Sequence, residues 1–140
     1  MNIQYRLVNI AETGYFYNFN YDYQGKDLGK LRYYLAHSIF PRPEEDSLAI
    51  QVELTIQWDD DPAPLVSNTV AATFQMKPLD SVGVFNANGA FISRNPDIVD
   101  NCLQTVVGIL RGVLYKNLKG TPLEAHPLPL LSAMFFRQEE

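Results

Sequence analysis

Residues 47–59, SLAIQVELTIQWD, decide the fold because apolar and polar residues alternate along most of this stretch. Large apolar residues occupy every even position: Leu48, Ile50, Val52, Leu54, Ile56 and Trp58. Polar residues occupy the odd positions that follow: Gln51, Glu53, Thr55, Gln57 and Asp59. Alternation with a period of two predicts a β-strand with one face on a core and the other toward water.

A second alternating run follows after a short break. Residues 59–64, DDDPAP, are charged and contain proline, so they cannot continue a strand ladder. Beyond them Val70, Ala72, Phe74 and Met76 point one way, with Thr and Gln residues between them. Two such strands joined by a short polar loop predict an antiparallel hairpin.

The N-terminal third adds about two more strands. Residues 31–40 are a strand candidate that ends at Pro41-Arg42-Pro43. Residues 15–23 alternate aromatic and mostly polar positions, and residues 3–10 are apolar enough to begin the same strand or a separate one, with Gly14 as a bend. The first half therefore predicts about four strands in one antiparallel sheet.

The C-terminal part changes to a helical period. Asn95 suits an N-cap, Pro96 suits the first helical position, and Asp97 suits the positive end of the helix dipole. Apolar residues then recur at spacings of three and four: Val99, Cys102, Leu103, Val106, Leu110, Val113, Leu114 and Leu118. This pattern predicts one long amphipathic helix that ends at Lys119-Gly120.

A loop over residues 121–127 follows, and Pro129 is expected to open a short second helix through residue 135. The prediction is one α+β domain over residues 1–140. It has a four-stranded antiparallel sheet followed by a long and a short C-terminal helix.

Composition narrows the classes of partner. Of 140 residues, 46% are apolar and 19% charged, and the net charge is −5. An acidic chain does not suit nucleic acid or an anionic membrane surface, because binding to either needs a basic patch. We also find neither the pattern of a signal peptide nor an apolar segment near 18 residues, so we expect a cytoplasmic protein without membrane insertion.

Candidate catalytic groups are few. Cys102 is the only cysteine and lies among helical apolar residues, where it acts as a small hydrophobe. His37 and His126 lie far apart in sequence and show no triad pattern. The adjacent carboxylates of residues 59–61 lack the alternating ligands and distal glutamate of a calcium loop. We expect no enzyme activity, cofactor or metal, and a small-ligand enzyme using either histidine remains the alternative.

The aromatic residues at odd positions of residues 15–23 allow two interpretations. They are Tyr15, Tyr17, Phe19, Tyr21 and Tyr23. In an extended segment all five rings lie on one side, where they either pack in the core or form a surface that grips extended apolar peptide. Phe16, Phe40 and the Pro41-Arg42-Pro43 turn would extend such a groove.

The end of the chain resembles the SecB family of protein-export chaperones. Members close their long helix with a basic residue, Gly and Thr, pass through a proline-containing loop, and begin a last helix with an Ala-Leu-Phe-like triplet. The matching residues here are Lys119-Gly120-Thr121, a loop over residues 122–129, and Ala133-Met134-Phe135. Residues 82–85, VGVF, are similar to the family's Gly-Ile-Phe segment, and Tyr15-Phe16-Tyr17 resembles its Ser-Phe-Glu region more weakly.

This resemblance implies an ATP-independent chaperone that holds unfolded or extended polypeptide in aromatic-lined grooves. It implies a homotetramer built as a dimer of dimers, with Gly108 and Gly112 allowing close helix contact between subunits. The peptide-binding residues would be Tyr15, Tyr17, Phe19, Tyr21, Tyr23 and Phe40.

Export chaperones of the family dock the motor ATPase SecA on an acidic sheet face, which here offers only Glu53 and Asp59. They also carry a polar C-terminal tail for a second motor contact, and this sequence ends at residues 137–140, RQEE. A chaperone attached to a toxin–antitoxin system therefore remains an alternative, with an antitoxin as its partner. A further alternative is an adaptor or structural oligomer that recognises one folded partner through its sheet edge.

Overall fold

Four long strands form one antiparallel sheet. The computed structural model describes residues 4–59, 61–77, 79, 83–85, 91–93, 95–126 and 128–129. The strands are β1 (Gln4–Tyr17), β2 (Leu31–Arg42), β3 (Ser47–Trp58) and β4 (Val66–Lys77). They lie in the order β1-β4-β3-β2, and each neighbouring pair is antiparallel. The predicted four-stranded antiparallel sheet is confirmed, with the β3–β4 hairpin at its centre and β1 and β2 at its edges.

One long helix follows the sheet. Two short strands, β5 (Gly83–Phe85) and β6 (Phe91–Ser93), pair with each other before the helix α1 (Pro96–Asn117). The helix begins as predicted, with Asn95 at the N-cap, although the Asn95 side chain makes no capping hydrogen bond. Gly120 follows the helix end with a φ of 81°, a conformation that would strain a residue carrying a Cβ.

The core lies between α1 and one face of the sheet, which we call the helix side. Even-numbered residues of β3, such as Leu48, Ile50 and Leu54, are fully buried there, and so are Leu103 and Leu110 of α1. Side chains alternate along strands, so the odd-numbered residues of β3 point to the opposite face, which we call the outer side. Most of these are polar and partly exposed.

The buried thiol of Cys102 behaves as a core side chain. It has no exposed surface and belongs to the hydrophobic core, and burial raises its pKa to about 12. Because the thiolate is the reactive form, we expect no labelling by a thiol reagent at pH 8 in the folded state. Complete labelling in denaturant would serve as the positive control. Rapid labelling without denaturant would contradict this placement.

The predicted strand of aromatic residues does not continue to Tyr23. β1 ends at Tyr17, and residues 18–30 cross from one edge of the sheet to the other to reach β2. The Asn18 side chain accepts a hydrogen bond from the Asn20 amide, and Asp22 accepts one from Gln24. Such local side-chain turns compete with a strand ladder, so the expectation of five rings on one side of an extended segment is wrong.

The chain after α1 packs near β2. Leu118 and Leu123 are fully buried, and residues 121–125 form turns rather than a helix. Tyr33 of β2 donates its hydroxyl hydrogen bond to the carbonyl of His126 (2.9 Å). Arg111 of α1 donates to the carbonyls of Leu128 and Pro129, at 2.9 Å each. The predicted short second helix, residues 129–135, lies almost entirely outside the described residues.

We expected no apolar segment near 18 residues, but α1 contains one. By length and composition, residues 97–117 could cross a bilayer. However, Leu103, Val106, Leu110 and Leu114 of this helix are buried against the sheet. A core helix of a folded domain passes the same test of length and composition.

Candidate functional site

Strand β1 carries an exposed apolar row on the helix side. Each residue on this row lies opposite a helix-side residue of β4: Tyr5 opposite Met76, Leu7 opposite Phe74, Ile10 opposite Ala72, and Tyr15 opposite Asn68. We call Tyr5, Leu7, Ile10 and Tyr15 the β1 rim. All four are between 40% and 50% exposed, which is unusual for apolar side chains on the core-facing side of a sheet.

Two β-bulges put the rim residues on one face. The register between β1 and β4 shifts at Val8 and again at Thr13, so each is an extra residue without a partner in β4. Each extra residue reverses the alternation once. Rim residues therefore occupy odd positions at Tyr5 and Leu7, an even position at Ile10, and an odd position again at Tyr15. Simple alternation would have placed Ile10 on the outer side.

Among the described residues, the helical layer covers the centre of the sheet and reaches β1 only at the end of α1. Helix α1 lies over β3 and β4, the central strands. The segment after α1 continues toward the opposite edge, where Tyr33 of β2 is bonded to His126. Helix-side residues of β2 are half-buried as a result, whereas most of β1 stays open to solvent.

The rim leads into a group of aromatic rings, which we call the ring cluster: Tyr17, Phe19, Tyr21 and Tyr23. Tyr17 is buried in the core and meets Phe19 edge-on with ring centres 4.8 Å apart. Tyr23 stacks near Tyr17 (6.3 Å) and meets Tyr21 edge-on (5.1 Å). Phe19 is 83% exposed, so its ring contacts the cluster at one edge and is otherwise open to solvent.

Two tyrosine hydroxyls at this surface, those of Tyr15 and Tyr23, have raised pKa values. Burial raises the pKa of Tyr23 well above its usual value, and the neighbouring Tyr17 adds to the shift. Burial also raises the pKa of Tyr15, again with a contribution from Tyr17. Tyr21 donates its hydroxyl to a carboxylate oxygen of Asp61 (3.3 Å). The hydroxyls of Tyr15 and Tyr23 therefore stay protonated across physiological pH, which suits contact with apolar chains.

A buried polar cluster fixes the end of the rim to the helix. Asn68 of β4 has no exposed surface, and its amide donates to Glu12 (2.9 Å) and to the carbonyl of Gly14 (2.8 Å). Asn117, at the end of α1, donates to Glu12 (2.7 Å) and to Asn68 (3.1 Å). Tyr15 donates its hydroxyl to the carbonyl of Asn117 (3.2 Å). The cluster ties β1, β4 and α1 together next to the second bulge.

The structure brings five of the six predicted peptide-binding residues together. Tyr15 lies on the rim, and Tyr17, Phe19, Tyr21 and Tyr23 form the ring cluster. Phe40 is 51% exposed, but it lies opposite Ala49 on the outer side, so the sheet separates it from the others. Their role in binding stays a prediction. Sequence reasoning missed Tyr5, Leu7 and Ile10, which only the bulges align.

The predicted oligomer-contact glycines lie on the exposed side of α1. Gly108 and Gly112 are both exposed, and a Cβ built on either would meet no atom within 4 Å. Tyr115 is exposed on the same helix, with the Lys119 ammonium 5.3 Å from its ring centre. The backbone of another chain could therefore approach α1 closely at the two glycines. A contact between subunits at this surface stays a prediction.

No group of three or more potential metal ligands occurs among the described residues. The described surface includes open depressions. One, of about 440 Å³, is lined by Tyr5, Arg6, Gln75 and Lys77, and another lies beside Tyr34 and Trp58. Neither depression is lined by a histidine or a cysteine. His37 lies on β2 and His126 in the segment after α1.

The fold is SecB-like: a four-stranded antiparallel sheet backed on one side by a long C-terminal helix. The chain is similar in structure to the Mycobacterium tuberculosis Rv1957 SecB-like chaperone, solved in complex with a ChAD peptide from the Rv1956 HigA1 antitoxin. The TM-score is 0.60 at 10% sequence identity, and the match covers 91% of this chain and 90% of that one.

A protein of unknown function from Streptococcus agalactiae gives a TM-score of 0.47 at 14% identity, covering 94% of this chain and 99% of that one. No protein-family model matches the sequence, and no curated protein matches it. The likeness is thus one of fold.

Proposed function

We propose that this chain is an ATP-independent, SecB-like chaperone that holds extended apolar polypeptide on the β1 rim and the ring cluster. The single observation that carries the proposal is where exposed apolar side chains lie. Ten large apolar residues are exposed among those described, and six of them are on β1. Four of the six form the β1 rim, Val8 is the extra residue at the first bulge, and Phe16 lies opposite Ser67 on the outer side. Phe19 continues the set directly beyond the strand.

A surface of this kind can hold clients without catalytic groups. A protein that binds an exposed apolar segment lowers the free concentration of that segment by mass action, and no nucleotide is required. The rim offers apolar area, and neutral tyrosine hydroxyls tolerate water when the surface is empty. The peptide seen with the Rv1957 chaperone supports peptide as the ligand class.

We further propose that the protein works in the cytoplasm as a dimer or tetramer, with Gly108 and Gly112 of α1 at a contact between subunits. Both glycines face outward with free space beyond them. Helices that carry small residues on one face can approach each other closely there. A light-scattering mass of the purified protein tests this part directly.

A specific antitoxin partner is the second candidate, because the peptide bound to the Rv1957 chaperone comes from an antitoxin. A SecA-like motor is less favoured by the charges of the outer side. Asp59 forms an ion pair with Arg32 (2.8 Å), and Arg6 and Arg42 lie on the same side as Glu53. An acidic docking face for a motor is therefore weak in this chain.

Replacing Phe19 by Ser is expected to weaken binding of an unfolded client about tenfold without unfolding the protein. The ring is 83% exposed, so folding loses little when it is removed, while a bound client loses roughly 1.5 kcal/mol of apolar burial. The measurement is suppression of aggregation of an unrelated denatured protein at stoichiometric amounts, together with client affinity by fluorescence anisotropy.

Tyr34→Ser is the matched control, because Tyr34 is an exposed ring on the outer side of β2. It should leave client affinity within about twofold of the wild type. If the wild-type protein suppresses no aggregation yet binds one antitoxin tightly, the adaptor function replaces the chaperone. Equal loss in both variants would remove the ring cluster from the site.

A further inference from the structure

The outer side of the sheet has a positive end although the chain as a whole is acidic. The net charge is −5, from 11 lysine and arginine residues against 16 aspartate and glutamate residues. β4 contains no carboxylate, and Glu12, the one carboxylate of β1, lies on the helix side. Arg6 and Lys77 are therefore the only charged side chains on the outer side of these two strands, and both lie where β1 begins and β4 ends.

Strand pairing places these two cations next to each other. Arg6 lies opposite Gln75, and Lys77 follows Gln75 by two residues on the same face of β4. Diagonal neighbours of this kind have Cα atoms about 7–8 Å apart, which is within reach of long side chains. Together with Tyr5, the three residues line the open depression of about 440 Å³ at this end of the sheet. We call it the basic depression.

The polar groups of the basic depression are mainly hydrogen-bond donors. Arg6 Nε donates to Gln75 Oε1 (3.1 Å), which orients the guanidinium and leaves its two terminal nitrogens to bind another group. The same hydrogen bond uses the side-chain oxygen of Gln75 and leaves its N–H donors. Among the described residues neither Arg6 nor Lys77 forms an ion pair, whereas both arginines of β2 do. The positive charge here is therefore not neutralised by a described carboxylate.

We propose that the basic depression binds carboxylate groups of an acidic segment in a partner polypeptide. A guanidinium with two available nitrogens holds a carboxylate through paired hydrogen bonds, and the Lys77 ammonium attracts a second carboxylate nearby. Two cations on an acidic chain do not form the long basic stripe that nucleic acid requires. An acidic polypeptide is the occupant that these charges fit.

The basic depression is separate from the client surface. Arg6 and Lys77 lie on the outer side, whereas the β1 rim lies on the helix side. Both cations extend from a face of the sheet rather than from its edge, so the site does not depend on what pairs with β1. A partner held here can stay bound while the helix side holds a client. The inference therefore goes beyond the proposed function, and the two can fail separately.

The test uses a short labelled peptide that contains four glutamates, and a matched peptide in which every glutamate is replaced by glutamine. Affinity for the wild-type protein is measured by fluorescence anisotropy. We expect the glutamine peptide to bind at least about tenfold more weakly, because it keeps the length and removes the charges. Binding of the glutamate peptide should weaken as the salt concentration rises, because salt screens exposed charges.

The protein variants are Arg6→Gln and Lys77→Gln, and their control is Lys116→Gln on α1, which makes the same change in net charge. All three side chains are exposed, so all three variants should fold. We expect each test variant to bind the glutamate peptide about fivefold more weakly, and the control to change binding by less than about twofold. Suppression of client aggregation should stay unchanged in all three variants.

The assignment fails if the wild-type protein binds both peptides equally or neither, or if Arg6→Gln and Lys116→Gln lose equally. It also fails if Phe19→Ser weakens binding of the glutamate peptide as much as Arg6→Gln does, because the peptide would then lie on the client surface. A lower light-scattering mass of Arg6→Gln without peptide would replace the partner by a second copy of this chain. The proposed chaperone function stands in these cases when the wild-type protein suppresses aggregation. A wild-type protein that binds the glutamate peptide and suppresses no aggregation would overturn the proposed function alone.

Discussion

Leu110→Ala is expected to lower the free energy of unfolding by about 2–5 kcal/mol, the range for removing a large side chain from a packed core. Leu110 lies in the middle of α1, has no exposed surface, and belongs to the core between the helix and the sheet. Its loss leaves a cavity that the surrounding core side chains can fill only in part. Urea denaturation followed by circular dichroism measures the change.

Gly108→Ala is the matched control on the same helix. Gly108 is exposed and an added Cβ would meet nothing within 4 Å, so the variant should gain up to about 1 kcal/mol from helix propensity. The same variant also tests the predicted subunit contact, because a methyl group at a close helix crossing would weaken assembly. A lower, concentration-dependent mass of Gly108→Ala in light scattering would show weakened assembly. Equal losses of stability in Leu110→Ala and Gly108→Ala would contradict the described core.

The centre of the fold could be predicted from the sequence because each of its elements keeps a single hydrophobic period along its length. Alternation of Leu48 through Trp58 fixes a half-buried strand, and spacings of three and four from Val99 onward fix a helix with one apolar face. The structure confirms both patterns: the even-numbered residues of β3 and the apolar residues along one side of α1 are buried. Burial against a common core makes local pattern and tertiary structure agree.

The edge of the sheet could not be predicted in the same way. Two bulges within β1 change the parity of the apolar positions, and nothing local in the sequence marks Val8 as an extra residue. Turn-forming side chains of Asn18 and Asp22 also end the strand before the aromatic alternation ends. Tyr17, Phe19, Tyr21 and Tyr23 do contact one another in the structure, but their arrangement depends on the pairing of β1 with β4 and on the crossing segment.

The placement of Asn68 also escapes sequence reasoning. A polar residue at an even position of β4 breaks the apolar row of Val66, Val70 and Ala72. Its partners, Glu12 and Asn117, are 56 and 49 residues away in sequence. Buried amides are stable only when their donors and acceptors are satisfied, so this position makes sense only once β1 and the end of α1 are in place.

Asn68→Ala should therefore lower the free energy of unfolding by about 2–3 kcal/mol, more than the lost side-chain volume alone would suggest. The reason is that the carbonyl of Gly14 would lose its hydrogen-bond donor and the Asn117 amide would lose one acceptor. The loss should be local first, with faster amide exchange at the end of β1, and client binding at Tyr15 should fall with it. Ser67→Ala, the neighbouring position on the outer side, should change stability by less than about 0.5 kcal/mol. If both variants unfold at the same urea concentration, Asn68 does not hold β1 to the helix, and the rim owes its position to the strand pairing with β4 alone.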